Sequence, residues 1–257
     1  MILLKSPREL ALMRRGGHIL AEVMDRLRES VRPGLSTQEI DDEVEAFIRE
    51  RGATPAFKGY RGFPATVCTS INEEVVHGIP SPQRRLKEGD IIGLDLGCIV
   101  DGYYADCALT LAVGEVPRRV QELLEVTRES LDIAIEECWS GHRLSNISYA
   151  VQRHVEAHRF SVVRAFVGHG IGRALHEDPQ VPNFGDPGRG PQLKAGMVLA
   201  IEPMVTMGSW EVRVLDDGWT AVTRDGSLAA HFEHTIAITD GEPEVLTSKT
   251  GRATRAA

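Results

Sequence analysis

The sequence predicts an α+β fold built from two similar halves, each with a pair of helices followed by strands. Two helix pairs with capping signals start about 110 positions apart, and strand-like segments follow each pair. The chain has 257 residues, of which 42% are hydrophobic, and it can bury a sizeable core. We expect residues 1–248 to form a single domain, with halves of about 6–114 and 115–247, and residues 249–257 to form a disordered tail.

The first helix pair is predicted by two capping boxes. The segment 6–9, Ser-Pro-Arg-Glu, offers a capping serine, a proline at the first helical position and a glutamate at the third. Apolar residues then recur at helical spacing until Pro33, where we expect the first helix to stop. Ser36 with Glu39 repeats the capping box, and Gly52 is a suitable end for the second helix.

The second helix pair has weaker signals. Pro117 is predicted to open one helix and Ser145 to cap the other, and each is followed by apolar residues at helical spacing. Ser145 lies 109 positions after Ser36. This spacing supports the interpretation of two similar halves, although the halves share little residue identity.

The segment 91–113 is predicted to be a β-hairpin. Two runs rich in β-forming residues, IIGLDLGCIV and YYADCALTLAV, flank the dipeptide Asp101-Gly102, which is a strong signal for a two-residue turn. If these two residues form the loop, Val100 pairs with Tyr103. The register of the whole hairpin then follows from the turn.

In that register, two aspartates of the hairpin lie on the same face of the sheet. Gly97 faces Asp106, and Asp95, two residues before Gly97, points to the same side. Burying two carboxylates side by side costs several kcal/mol unless a cation neutralises them. The alternative is a pair of solvated aspartates on an exposed sheet face.

Composition and charge exclude several classes of protein. The net charge of −8 gives the chain as a whole no cationic surface for nucleic acid. No apolar run approaches the roughly 20 residues needed to cross a bilayer, and the first residues lack the long apolar stretch of a signal peptide. We expect a cytoplasmic monomer with neither a membrane nor nucleic acid as partner. Free thiols are expected because there is no zinc-type or disulfide pattern among Cys68, Cys98, Cys107 and Cys138.

Three further residues are candidate metal ligands. His169 lies between Gly168 and Gly170, which allow close backbone approach, and Glu202 and Glu233 each belong to an apolar strand. Alone, each signal is weak, because a buried glutamate is more often paired with arginine and a lone histidine is more often structural. Together with the two aspartates, however, four carboxylates and one imidazole suit a pair of divalent ions.

The order and spacing of the motifs resemble a known family. TVCTSINEEVVHGIP, the Asp95-to-Asp106 hairpin, GHGIGRALHEDPQVPNF, AIEPM and HFEHTIAIT are similar to the type I methionine aminopeptidases, peptidase family M24A, and the similarity extends from Ser6 to about Thr247. It implies the pita-bread fold, in which two pseudo-symmetric halves form a central curved antiparallel sheet covered by helices. It also implies removal of the initiator methionine from nascent proteins when the second residue is small.

The resemblance assigns roles to residues at matching positions. The implied metal ligands are Asp95, Asp106, His169, Glu202 and Glu233, and the implied catalytic residues are His77, His176 and Glu202. In the implied mechanism, a hydroxide that bridges two divalent ions attacks the scissile carbonyl. His176 donates a hydrogen bond to the oxyanion, Glu202 shuttles the proton to the leaving nitrogen and His77 contacts an amide of the substrate. Co, Mn, Fe, Zn and Ni all remain open as the metal.

The resemblance also implies a pocket for the methionine side chain. Besides His77 and His176, its wall would consist of Tyr60, Phe63, Cys68, Leu175 and Trp219, with Met204 as a further candidate. For Leu175 and Met204 an ordinary core position is an equal alternative. The sequence departs from many bacterial members of the family at Phe57, Leu175 and His231, which affects the predicted width of the pocket.

Three alternatives stand beside this hypothesis. Proline-directed peptidases of the same fold carry a large extra N-terminal domain, whereas the first helix here begins at Ser6. A catalytically inactive binding domain would have lost metal ligands, and all five are present. A mononuclear iron oxygenase needs two histidines and one carboxylate, which one histidine and four acids fit poorly. For the favoured function the expected partners are the N-terminal methionine of nascent chains and, transiently, the ribosome.

Overall fold

The computed structural model describes residues 1–252. The last part of the predicted disordered tail, residues 253–257, lies outside the described residues. Within the described part, Lys249 at the start of the predicted tail forms an ion pair with Asp25 of the first helix. No helix in residues 1–252 is long and apolar enough to cross a membrane.

The fold consists of two helix pairs, each followed by strands, as the sequence predicts. The helices are α1 (Pro7–Ser30), α2 (Thr37–Glu50), α3 (Arg118–Glu136) and α4 (Leu144–Ala157). The strands of the first half are β1 (Thr54–Pro55), β2 (Val67–Ile71), β3 (Glu74–Val76), β4 (Ile91–Val100) and β5 (Tyr103–Ala112). The strands that follow α4 are β6 (Ser161–Val162), β7 (Gly168–Gly170), β8 (Glu177–Val181), β9 (Val198–Ile201), β10 (Met204–Thr206), β11 (Val212–Val214), β12 (Ala221–Thr223), β13 (Ala229–His231), β14 (His234–Ala237) and β15 (Glu244–Val245).

The first two helices begin where their capping boxes predict. The hydroxyl of Ser6 accepts from the Glu9 N–H, while the Glu9 carboxylate accepts from the Ser6 N–H. Ser36 and Glu39 make the same reciprocal pair at the start of α2. Both ends are therefore fixed by local sequence, since each pair satisfies N–H groups that a helix start leaves without a partner.

The predicted cap of α4 is wrong. Arg143, and not Ser145, is the N-cap residue, and its side chain makes no capping hydrogen bond. The N–H groups of Leu144 and Ser145 instead donate to the backbone carbonyls of Pro191 and Arg189. A distant segment of chain thus replaces the side-chain cap, which is why no local signal marks this helix start.

The hairpin β4–β5 has the register that the turn predicts. Gly97 pairs with Asp106 and Val100 with Tyr103. Strand β4 is the central strand of a four-stranded sheet and pairs with β1, β2 and β5. The second half contributes a five-stranded sheet in the order β15-β14-β9-β7-β8, and two three-stranded sheets complete the part of the fold formed by residues 1–252.

Each helix pair covers the strands of its own half with a separate apolar core. Alternate residues of β4, including Leu94, Leu96 and Cys98, pack with α1 and α2. Residues of β9 and β14, including Leu199 and Ile236, pack with α3 and α4. The opposite sheet faces are thus left free to meet each other, as expected for a pita-bread architecture.

Two threonine hydroxyls join the halves along β5 and the strands β13 and β14. Thr110 Oγ1 accepts from the His231 N–H at 2.8 Å and donates to the His231 carbonyl at 2.9 Å. Thr235 Oγ1 does the same with Asp106, at 3.1 and 2.7 Å. All four residues are buried. Each hydroxyl therefore satisfies one buried donor and one buried acceptor where a direct strand ladder is missing.

The packing of α1 on the C-terminal segment yields a stability prediction. A methyl group added at Gly17 would lie 2.1 Å from the Leu246 carbonyl oxygen, whereas one added at Gly16 would lie 3.2 Å from the Ala105 side chain. We expect Gly17→Ala to lower the free energy of unfolding by about 2 kcal/mol or more through overpacking. Gly16→Ala, the matched control, gains about 1 kcal/mol of helix propensity and should be nearly neutral. Urea denaturation measures both, and equal losses would contradict the backbone contact at Gly17.

Candidate metal centre

The hairpin β4–β5 positions the two aspartates by strand alternation. Leu94 and Leu96 point to the helices, so Asp95, between them, points to the other face. Asp106 lies on the neighbouring strand with the same orientation, and its side chain is 4% exposed. The structure therefore brings both carboxylates to the face that meets the second half of the chain.

The two glutamates come from the second half. Glu233 is joined to β5 by reciprocal backbone hydrogen bonds with Ala108, at 2.9 and 3.3 Å. Glu202 follows the last residue of β9, and its carbonyl accepts from the side-chain amide of Asn183 at 2.9 Å. These bonds hold the backbone at both glutamates, so their side chains reach the aspartates from fixed positions.

Close strand packing positions His169. A methyl group at Gly168 would lie 2.4 Å from the Ala200 carbonyl oxygen, and one at Gly170 would lie 2.1 Å from that of Asp178. Only glycine fits at either position, as the motif predicts. The Nδ1 of His169 lies 2.8 Å from the Gly170 carbonyl oxygen. Because that carbonyl can only accept, Nδ1 carries the proton and Nε2 keeps a lone pair for a metal.

The ligand atoms converge. One ligand atom each from Asp106, His169 and Glu233 lie within 4.8 Å of one another. His169 Nε2 lies 3.5 Å from Glu202 Oε1. Among the described residues, Asp95 Oδ1, Asp106 Oδ1 and Glu233 Oε1 are buried oxygens with no hydrogen-bond donor. A cation would satisfy these buried acceptors, and their oxygen and nitrogen ligand set fits a divalent metal.

Burial opposes ionisation of all four carboxyl groups, and repulsion adds to it at Asp106, Glu202 and Glu233. Loss of solvent raises the pKa of Asp95 to about 7. Burial, followed by the charge of Asp95, raises the pKa of Asp106 well above its usual range, and burial with neighbouring carboxylates does the same for Glu202 and Glu233. Burial lowers the pKa of His169 to about 4, which keeps the imidazole neutral as a ligand must be.

Of the two predicted catalytic histidines, His176 lies against this cluster, and His77 lies near enough to His176 to interact with its charge. The His176 ring lies 4.3 Å from that of His169, between centroids, and the Tyr60 hydroxyl lies 2.9 Å from His176 Nδ1. His77 adopts a left-handed backbone conformation, with φ of 63°, and its ring contacts Trp219 edge to face. Burial lowers the pKa of His77 to about 4, and burial with the Arg61 charge lowers that of His176. Both rings are therefore neutral near pH 7.

The predicted pocket residues share one apolar cluster. Phe63, Cys68 and Leu175 are buried there, and Tyr60 and Trp219 pack against it while partly exposed. Phe57, one of the departures from the family pattern, is in the same cluster. Met204 is not, because it is fully buried in a separate cluster with Val75, Val76, Val163, Ala221 and Ala229. This location favours the ordinary core position as the interpretation of Met204. The third departure, His231, is 3% exposed beneath this region.

Sequence reasoning missed several residues that shape the site. Phe166 packs edge to face on His77, with centroids 5.5 Å apart. Asn183 and Thr235 hold the backbone at two ligands. Thr235 follows Glu233 by two positions, and strand alternation could have placed it on the same face. No local pattern marks Phe166 or Asn183, since both come from loops.

These candidate ligands, buried between two halves of mixed helix and sheet structure, indicate a metal-dependent protein. The sequence profile of metallopeptidase family M24 matches residues 11–240. Methionine aminopeptidase of Clostridium perfringens is 54% identical over 247 residues, covering 96% of this chain and 99% of that protein. Methionine aminopeptidase 1 of Bacillus subtilis gives the same values of identity and coverage.

A solved structure agrees with these sequence matches. The crystal structure of methionine aminopeptidase from Thermotoga maritima has a TM-score of 0.96 and 47% sequence identity, and the match covers 97% of this chain and 100% of that chain. The chain belongs to metallopeptidase family M24, in its methionine aminopeptidase group. The resemblance seen in the sequence motifs and the expected pita-bread fold are both confirmed.

The raised pKa values predict how stability depends on pH and metal. The folded pKa of Asp95, about 7, lies above the value of about 3.9 in an unfolded chain. In the metal-free protein, Asp95 makes its full favourable contribution to the free energy of unfolding below about pH 4. This contribution, up to about 4 kcal/mol, is lost as the pH rises to about 7. Bound cations favour the ionised form and remove this loss. Added Mn²⁺ should therefore raise the melting temperature more near pH 7.5 than near pH 5.

The variant Asp95→Asn provides the matched control for this prediction. It removes the titrating group but keeps a side chain of similar shape, so the metal-free variant should lose less stability over the same pH range. Differential scanning calorimetry with and without Mn²⁺ measures both effects. An equal Mn²⁺ shift at both pH values would be incompatible with the raised pKa of Asp95.

Proposed function

We propose that the protein removes the N-terminal methionine from nascent polypeptides and peptides when the second residue is small, and that it does so in the cytoplasm. One observation carries the proposal. Five candidate metal ligands lie together beside a neutral histidine, His176, and an apolar cluster that contains five predicted pocket residues: Tyr60, Phe63, Cys68, Leu175 and Trp219. A protein with this arrangement can hold a cation, an N-terminal side chain and a scissile carbonyl within one cleft.

The proposed cofactor is a pair of divalent ions. Asp95, Asp106, His169, Glu202 and Glu233 would hold them, and bridging carboxylates suit two neighbouring cations. When bound, the ions would lower the pKa of water and polarise the scissile carbonyl. Co, Mn, Fe, Zn and Ni all tolerate mixed oxygen and nitrogen ligation, so the cellular metal depends on availability.

His176 is proposed to stabilise the oxyanion. The Tyr60 hydroxyl lies 2.9 Å from Nδ1, and a hydroxyl that donates there leaves the imidazole proton on Nε2. Because the lowered pKa keeps the ring neutral, this tautomer holds one N–H donor for the carbonyl oxygen as negative charge develops. The stack of Tyr60 on His176, with centroids 5.5 Å apart, fixes the plane of the ring.

Glu202 and His77 are proposed to complete the reaction. A carboxylate oxygen of Glu202 takes the proton of the attacking water and delivers it to the leaving amide nitrogen. The strained backbone of His77 aims its ring along the cleft, between Phe166 and Trp219, where it can contact the scissile or following amide. Neither step needs a further side chain.

Substrate choice is proposed to arise from shape. The apolar wall formed by Phe63, Cys68, Leu175 and Trp219 suits a flexible thioether side chain. A small second residue is expected because a bulky one beside the ligands would keep the scissile carbonyl from its attack geometry. The N-terminal methionine of new chains is thus the proposed partner, with transient ribosome contact and a monomeric enzyme as further expectations.

Peptide cleavage tests the proposal directly. Protein reconstituted with metal should release methionine from Met-Ala-Ser, while Met-Ile-Ser and Ala-Pro-Ser should be cleaved at least about 100-fold more slowly, because a misplaced carbonyl loses that much reactivity. Mass spectrometry of the products measures all three peptides. Faster cleavage of Ala-Pro-Ser would support a proline-directed peptidase instead. Undiminished cleavage after exhaustive chelation would exclude the metal-dependent mechanism.

The role of His176 gives a second kinetic prediction. Loss of one oxyanion donor typically costs about 100-fold to 1,000-fold in turnover, so His176→Ala should lower kcat by that factor and change KM little. His142→Ala, which removes an exposed histidine after α3, is the control and should leave kcat unchanged. If His176→Ala raised KM with kcat intact, the residue would bind substrate without stabilising the transition state.

A further inference from the structure

The turn between β7 and β8, residues 171–176, carries Leu175 of the pocket wall and His176. The His176 ring lies 4.3 Å from the ring of His169, between centroids. The side chain of His176 is exposed, so packing around the ring fixes it only in part. Its position therefore depends on what holds the turn.

The carboxylate of Glu177 binds two backbone N–H groups of this turn. Glu177, the residue after His176, folds back so that its Oε1 accepts from the N–H groups of Arg173 at 2.7 Å and Ala174 at 3.2 Å. Its other oxygen, Oε2, lies 2.6 Å from the ammonium nitrogen of Lys5. Glu177 thus joins the turn to the segment that precedes α1.

The pair formed by Lys5 and Glu177 is buried. The two side chains are only 6% and 9% exposed. A buried carboxylate that lost its cation would carry an uncompensated charge, which is strongly unfavourable in a low-dielectric site. Since the same carboxylate binds two backbone N–H groups of the turn, the ammonium of Lys5 stabilises the turn's conformation as well as the pair.

Lys5 itself is fixed along its whole length. Its N–H donates to the Gly196 carbonyl at 2.7 Å, and its ammonium also donates to the Leu3 carbonyl at 3.2 Å. The aliphatic chain runs directly over Gly172, where an added methyl group would lie 2.4 Å from Lys5 Cε. The Gly172 carbonyl in turn accepts from the Tyr104 N–H at 2.8 Å. Both Lys5 and Gly172 are therefore held in place where they contact each other.

We infer that Lys5 is a positioning residue for His176, acting through Glu177. Lys5, which lies 171 positions before His176 in the sequence, thereby sets the geometry of the turn formed by residues 171–176. This role rests on the proposed function, because it concerns the oxyanion donor of that reaction. A second link between α1 and the turn, from Glu9 to Arg173 at 3.8 Å, involves an arginine that is 69% exposed and contributes little.

Lys5→Met is the direct test, because methionine keeps most of the aliphatic contact and removes the charge. With Met-Ala-Ser as substrate, kcat should fall about 10-fold to 100-fold with KM nearly unchanged, since small displacements of a catalytic group have effects of this size. In a His176→Ala background the same substitution should change kcat less than about twofold, because coupled residues are not additive. An equal fall in both backgrounds would overturn the inference.

Arg14→Met is the matched control. It removes a bidentate ion pair with Glu244 from the same N-terminal region, with distances of 2.6 and 2.9 Å, but does not touch the turn. It should lower the melting temperature and leave kcat unchanged. A fall in kcat as large as that of Lys5→Met would show that general destabilisation, and not positioning, explains the loss.

A second variant keeps the test decisive if Lys5→Met does not fold. Glu177→Gln retains an oxygen for the two backbone N–H groups but leaves Lys5 unpaired, so kcat should fall as for Lys5→Met. The double variant Lys5→Met/Glu177→Gln removes both charges and should regain part of the lost kcat. Wild-type kcat in Glu177→Gln would overturn the inference.

Hydrogen exchange separates this inference from the proposed function. Amide exchange in residues 171–177, followed by mass spectrometry, should be at least about 10-fold faster in Lys5→Met than in Arg14→Met or the unmodified protein. If the unmodified protein failed to cleave Met-Ala-Ser, the proposed function would be wrong, and this exchange measurement alone would decide whether Lys5 holds the turn. Unchanged exchange would overturn the inference.

Discussion

One constraint governs the rest of the structure: four carboxyl groups and one imidazole are buried together between the two halves, which is electrostatically unfavourable. Burial raises the pKa of all four carboxyl groups, and neighbouring carboxylates raise those of Asp106, Glu202 and Glu233 further. A rigid backbone keeps the cluster in place, and a bound cation would offset the charge of its ionised form. The rest of the fold supplies that rigidity.

Rigidity at the centre comes from close backbone contacts, some of which leave no room for a side chain. Gly168 and Gly170 let β7 lie against its neighbours, and the hydroxyls of Thr110 and Thr235 connect β5 to the second half. Each half therefore supplies ligands from strands that are fixed by the other half. Neither half could form the site alone, because Asp106 belongs to the first half while the other members of its close triad belong to the second.

The two proposed catalytic histidines and part of the pocket wall lie on loops and turns around the candidate ligands. Pairing between strands does not fix the positions of these segments. His77 depends on a left-handed backbone conformation, His176 on the turn held by Glu177, and Tyr60 on a short helical turn. Such segments have few ladder hydrogen bonds, so individual side-chain contacts determine their geometry. Ion pairs and aromatic contacts of moderate strength, such as that between Lys5 and Glu177, can therefore affect reactivity without altering the core.

The sequence by itself determined what depends on short-range chemistry. Capping boxes fixed the starts of α1 and α2, and the Asp101-Gly102 turn fixed the register that places Asp95 and Asp106 on one face. Tertiary structure alone decided the start of α4, which distant carbonyls cap, and the cluster in which Met204 is buried. The reason is physical. The hydrogen bonds of turns and helix caps are made by groups within a few residues of one another, whereas apolar cores, contacts between the halves and buried ion pairs join residues that come together only after folding.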